Sequence, residues 1–105
     1  MQSLRVALGD RTYPIHVGPG LLDSDALFAP HLGATAAVVT NERVAPFYLE
    51  RLVRTLARAG ARVVPIIVAD GEQHKDWRTL DQVLGALLAA RCDRSVTVVA
   101  LGGGV

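Results

Sequence analysis

Apolar and polar positions change rhythm along this chain, and the changes divide it into elements. Leu4, Val6 and Leu8 alternate with Arg5 and Ala7, a period of two that predicts a strand with one buried face. Gly9-Asp10-Arg11 reads as a turn and Thr12 to Val17 as a second strand, so a β-hairpin opens the chain. Pro14 has no N–H to give a ladder, which puts that second strand at an edge or a bulge. After the break at Gly18-Pro19-Gly20, Leu21 to Leu32 predicts a helical stretch closed by Gly33.

From Thr35 the pattern is different. Ala36-Ala37-Val38-Val39 is a short continuous apolar run, the mark of a strand covered on both faces. Pro46 to Ala59 places Leu49, Leu52, Val53 and Leu56 at helical spacing and ends at Gly60 in the position just past a helix terminus. Arg62 to Val68, rich in β-branched residues, predicts a second covered strand. Asp76 to Arg91 is helical again, with Trp77, Leu80, Val83, Leu84, Leu87 and Leu88 on one stripe, and Ser95 to Leu101 is a third apolar strand. The sum is an α/β fold, a parallel sheet flanked by helices and preceded by the hairpin. Right-handed crossovers line up the carboxyl ends of the three strands on one rim, where open sheets bind ligands.

The length of 105 residues fits one small domain spanning 1–105, and half of it is apolar. A formal charge of +1, with arginines scattered rather than clustered, gives no footprint for nucleic acid. Cys92 is the single cysteine, so neither an internal disulfide nor a cysteine-based zinc cluster is available. The amino terminus lacks the architecture of a signal peptide, and no apolar run approaches the ~18 residues that cross a bilayer. A cytoplasmic protein with no membrane partner is the expectation.

Candidate chemistry falls on the three rim segments. Gly102-Gly103-Gly104-Val105 follows the last strand. Glycines let backbone N–H groups approach a pyrophosphate, and a plain flexible connection would look the same. A glycine loop of this kind normally leads into a helix whose amino end receives a phosphate, so the chain is expected to be part of a longer one. Asp70-Gly71-Glu72-Gln73-His74-Lys75 lies between the second covered strand and a helix. A carboxylate there can accept two ribose hydroxyls, with a lysine facing an anion; a turn followed by acidic residues at a helix's positive end is the alternative. Thr40-Asn41-Glu42-Arg43 follows the first covered strand and suits either the adenosine end of a dinucleotide or capping of the next helix by Thr40 or Asn41. His16 and His31 have no partner at metal-ligand spacing and read as structural. Cys92 and Trp77 read as packing residues, and no nucleophile–base pair is evident.

Taken in order, Tyr13-Pro14-Ile15, Val38-Val39-Thr40-Asn41-Glu42, Asp70 to Lys75 and Ala100 to Val105 resemble the amino-terminal part of the 3-dehydroquinate synthase family, over the whole chain. The resemblance implies a Rossmann-like, NAD-binding part of a two-domain enzyme. It assigns Asp70, Gly71, Glu72, Gln73, His74 and Lys75 to NAD, with Glu72 on ribose hydroxyls and Lys75 supplying charge. Gly103, Gly104 and Val105 would line the pyrophosphate, and Asn41 would approach the adenine side, where family members often carry Asp.

The family converts 3-deoxy-D-arabino-heptulosonate 7-phosphate to 3-dehydroquinate and phosphate, a step of the shikimate route. NAD transiently oxidises a ring alcohol, phosphate is eliminated, hydride returns, and an intramolecular aldol closes the ring. A divalent metal, zinc or cobalt, assists, held by a glutamate and two histidines outside this sequence. The resemblance thus implies no catalytic or metal-ligating residue within 1–105, a sugar-phosphate substrate and a homodimer for the full-length enzyme. Two other readings stand beside it. One is a related sugar-phosphate cyclase such as 2-deoxy-scyllo-inosose synthase, and the other a stand-alone, non-enzymatic nucleotide-binding module.

Overall fold

A computed structural model describes residues 2–11, 13–69, 77–92 and 95–102. β1 (Gln2–Val6) and β2 (Tyr13–Val17) form an antiparallel hairpin with Leu4 opposite Ile15 and Arg5 opposite Pro14. A short helix α1 (Asp25–Phe28) precedes β3 (Thr35–Asn41), and α2 (Ala45–Arg58), β4 (Arg62–Val68), α3 (Trp77–Ala89) and β5 (Thr97–Leu101) follow. β3, β4 and β5 make a parallel sheet in the order β4-β3-β5, with Val38 paired to Pro65 on one side and Val99 on the other. The first strand of the unit is therefore the central one. The chain steps to one side of it through α2, then crosses to the other side through α3.

The core lies between β3 and α2. Ala36, Val38, Leu52, Leu56 and Ala61 form its buried cluster, with Leu49, Val63, Val99 and Leu101 packed around it. Alanine and valine on β3 let the helix come close, and Leu52 and Leu56 fill the space, each burial stabilising by about 1.5–3 kcal/mol. Gly60 ends α2 at φ +95°: its N–H donates to the Ala57 carbonyl and that of Ala61 to the Leu56 carbonyl, the pairing of a Schellman terminus. By the right-handed rule α3 takes the opposite face, that of Val64, Ile66 and Val68, where Ile66 is buried.

Several expectations need correction. Leu21 to Leu32 is no continuous helix: it breaks into 3₁₀ turns at Leu21–Asp23 and Ala29–His31 around the four residues of α1. Its apolar residues lack the spacing to hold one long face, and Pro30 removes an amide donor. The hairpin has no buried Leu4-Val6-Leu8 face, for Leu8 lies outside β1 and Leu4 is 63% exposed. Its other face, with Pro14 and His16, turns inward to line a cavity of about 430 Å³ together with Leu27, Phe28 and His31. β3 is covered on both sides, whereas on β4 and β5 Ile67 and Val98 remain exposed. The α3 stripe divides: Val83 and Leu87 are half-buried, while Leu80, Leu84 and Leu88 lie exposed along one line.

Candidate functional site

Parallel pairing fixes where the strands deliver the chain. Asn41, Val68 and Leu101 close β3, β4 and β5, and the register Asn41↔Val68 and Thr40↔Leu101 sets these ends side by side on one rim. The strand ends thus line up as the alternating pattern requires. The chain leaves β3 to one side and returns from β4 past it to the other, a reversal of strand order of the kind at which open sheets receive a ligand.

The side chains of the rim have distinct tasks. Asn41 Oδ1 accepts hydrogen bonds from the backbone N–H of Arg43 at 3.0 Å and of Val44 at 2.8 Å. These hold the turn ahead of α2 rather than cap the helix itself, whose N-cap Val44 has no side-chain bond. A carboxylate oxygen would accept the same two bonds, which makes Asn and Asp interchangeable for the turn itself. The Glu42 N–H donates to the Val68 carbonyl at 3.0 Å and carries the β3–β4 ladder one step beyond the strand.

Thr40 does not cap. Its side chain is 3% exposed, and its hydroxyl donates to the Leu101 carbonyl at 2.8 Å, across the last residue pair of the β3–β5 ladder. Reading the sequence placed Thr40 on the rim and missed this bond. No local signal announces it, because the partner lies 61 positions away. At the amino end of β5 a second threonine does similar work. Thr97 Oγ1 accepts the Gly33 N–H at 2.9 Å and donates to the His31 carbonyl at 3.3 Å. Gly33 allows this closeness, since a Cβ there would stand 2.3 Å from the Ser95 carbonyl oxygen.

β4, in contrast, is closed to further strands. Pro65 offers no N–H, and the Gln82 side-chain amide donates to the Ile67 carbonyl at 3.2 Å. Asp70, Gly71, Glu72, Gln73, His74 and Lys75, and likewise Gly103, Gly104 and Val105, lie outside the described residues. Of the ten residues expected to contact a cofactor, Asn41 is therefore the one with a described position.

Elsewhere, the His16 ring Nδ1 lies 2.8 Å from the Ser3 hydroxyl, a pairing internal to the hairpin. Cys92 is half-buried just past α3, its N–H donating to the Leu87 carbonyl. Among the described residues no three His, Cys, Asp or Glu side chains gather where they could hold a metal ion. No described helix is long and apolar enough to cross a membrane.

Residues 65–105 match the family model of the 3-dehydroquinate synthase N-terminal region, a span that includes both the Asp70 to Lys75 and the Gly102 to Val105 segments. The whole chain is 57% identical, over 106 aligned residues, to the 3-dehydroquinate synthases of Pseudomonas syringae pv. tomato and Pseudomonas entomophila. It spans 28% of the length of each of these curated relatives. In structure it is similar to 2-deoxy-scyllo-inosose synthase, with a TM-score of 0.83 at 17% identity, covering 98% of this chain and 29% of that one. A second such structure, matched equally well, holds carbaglucose-6-phosphate, NAD+ and Co2+. The resemblance read from the sequence is borne out, and the fold is one shared with 2-deoxy-scyllo-inosose synthase.

Proposed function

We propose that these residues form the NAD-holding part of a 3-dehydroquinate synthase, the enzyme that turns 3-deoxy-D-arabino-heptulosonate 7-phosphate into 3-dehydroquinate and phosphate. One observation carries the proposal. The segments that resemble the family's cofactor contacts leave, in sequence, from three strand ends that stand side by side at a switch point. Similarity along the whole of this chain to 28% of the length of a synthase supports it, as does the NAD+ held by a protein of the same fold.

On this reading NAD, when bound, supplies a reversible hydride acceptor, and the chain's own residues hold and orient it. The Glu72 carboxylate accepts ribose hydroxyls, with Asp70, Gly71, Gln73 and His74 shaping the segment around it and Lys75 adding positive charge. Backbone N–H groups of Gly103, Gly104 and Val105 face the pyrophosphate. Asn41, its oxygen engaged by the turn, offers its amide N–H toward the adenine side. The family resemblance implies that a glutamate and two histidines outside this sequence would hold a zinc or cobalt ion, and no step is assigned to that ion. We take residues 1–105 to be the incomplete amino-terminal, NAD-binding domain of a longer, cytoplasmic, homodimeric protein whose second domain supplies metal and substrate contacts.

Calorimetric titration of the full-length protein with NAD tests the core of this. Wild type is expected to bind, and Glu72→Ala to bind about tenfold or more weakly, the worth of a charge-assisted hydrogen bond, with an unchanged melting temperature. Equal affinity of the two proteins would remove Glu72 from the site. Phosphate release from the heptulosonate phosphate identifies the reaction; turnover of a hexose phosphate instead would favour the inosose-forming class.

A further inference from the structure

We infer that Asn41 meets the base of the dinucleotide as a hydrogen-bond donor only, so that the site recognises a ring nitrogen of the purine and leaves its 6-amino group unread. This rests on the reading that NAD occupies the rim with its adenine beside Asn41. Three observations converge on this residue. It closes β3 at the rim, paired with Val68, and is half-buried there. Both lone pairs of its Oδ1 are taken, by the Arg43 N–H at 3.0 Å and the Val44 N–H at 2.8 Å. Its amide nitrogen, in contrast, has no hydrogen-bond partner among the described residues.

The turn also decides which end of the amide is left over. Flipping the side chain would set its NH2 group against two backbone donors and leave both without an acceptor. Asn41 is thus locked as a donor. An asparagine with both ends free pairs with the 6-amino group and N7 of adenine together. With its oxygen committed, Asn41 serves acceptors alone. Adenine offers these at its ring nitrogens, while its 6-amino group is itself a donor. Hypoxanthine, the purine with oxygen at position 6, keeps N7 and adds an acceptor where adenine has the donor. A lone donor does not reject it, because strong discrimination arises when the wrong ligand leaves a polar group of the site unpaired. An aspartate here would hold the turn with one oxygen and present the other as an acceptor, which favours the 6-amino group and opposes the 6-oxygen.

The test is calorimetric titration of the full-length protein, wild type and Asn41→Asp, with NAD and with nicotinamide hypoxanthine dinucleotide, alongside melting temperatures. Wild type is expected to bind the two ligands within about threefold of each other, since neither leaves the amide unpaired. Asn41→Asp keeps the turn and is expected to melt like wild type. Its charge repels the pyrophosphate of both ligands alike, but the affinity ratio is expected to move about tenfold toward NAD. A role confined to the turn would change both affinities together and leave that ratio fixed. A wild type that prefers NAD tenfold or more overturns the inference, and so does an unchanged ratio in Asn41→Asp. The wild-type comparison decides the matter even where the variant fails to fold. A wild type that binds neither dinucleotide overturns the reading on which the inference rests.

Discussion

At Arg91 the backbone has φ +58°, the left-handed conformation that glycine occupies at the equivalent point of α2. Its N–H donates to the Leu88 carbonyl and that of Cys92 to the Leu87 carbonyl, so α3 ends in the same six-to-one pairing as α2, with an arginine in glycine's place. A side chain in that conformation costs about 1 kcal/mol. Arg91→Gly is therefore expected to stabilise the protein by up to about that amount, read as a raised urea midpoint at constant slope. Gly60 was legible as a terminus because glycine advertises the conformation. Arg91 was not, since nothing in an arginine does. Asn41 stood between two readings in the sequence, and coordinates show the turn that engages its oxygen. The amide proposed to face adenine is the part of the side chain that the turn leaves over.

Elements are held to one another here by side chains reaching for backbone. α2 grips the turn at Leu21–Asp23 through Thr55, whose buried hydroxyl donates to the Leu22 carbonyl, and through Arg58, which donates to the Asp23 carbonyl at 2.8 Å. Arg51 adds a forked contact to the Asp23 carboxylate at 2.8 and 3.3 Å. Its hydrogen bond and charge hold the Asp23 carboxyl below the usual carboxylate range. A carboxylate with a lowered folded value stabilises above its unfolded value of about 3.9 and loses that contribution as pH falls through the folded one. Asp23→Asn is therefore expected to be less stable than wild type near neutrality. The two should converge as acid protonates the wild-type group, and salt should narrow the gap because the pair is exposed. Thermal melts across acid pH check this, and a gap that persists in strong acid would show that the charge is not its source. The Leu21 to Leu32 stretch is where element-level reading failed. Its short turns are stabilised by this clamp from α2, which no local pattern encodes.

For the whole molecule, the notable property is apolar surface left open among the described residues: the Leu4–Ile15 face of the hairpin, Phe47 on α2, Ile67 on β4, Val98 on β5, and the line Leu80, Leu84, Leu88 on α3, the last 77% exposed. Scattered exposed leucines are ordinary, but three in register along one helix make a continuous stripe. Such a stripe fits the proposal of a domain packed within a larger enzyme. The isolated 105 residues are thus expected to self-associate in sedimentation measurements and to bind NAD poorly. Leu84→Lys with Leu88→Lys should reduce the association with little loss of stability, since Leu84 is half exposed and Leu88 mostly so. The same pair in the full-length protein is expected to destabilise it. A full-length double variant as stable as wild type would mean that the stripe faces solvent there too.

The sequence by itself determined the elements of the α/β unit, their parallel order and the family resemblance. Those rest on periodicity, glycine placement and short segments whose spacing is local. Tertiary structure alone decided which strand is central, which faces stay open, and that Thr40 reaches Leu101 rather than the start of α2. These depend on pairings between residues tens of positions apart, where a side chain's partner is chosen by the packing of the whole sheet and leaves no trace in its neighbours along the chain.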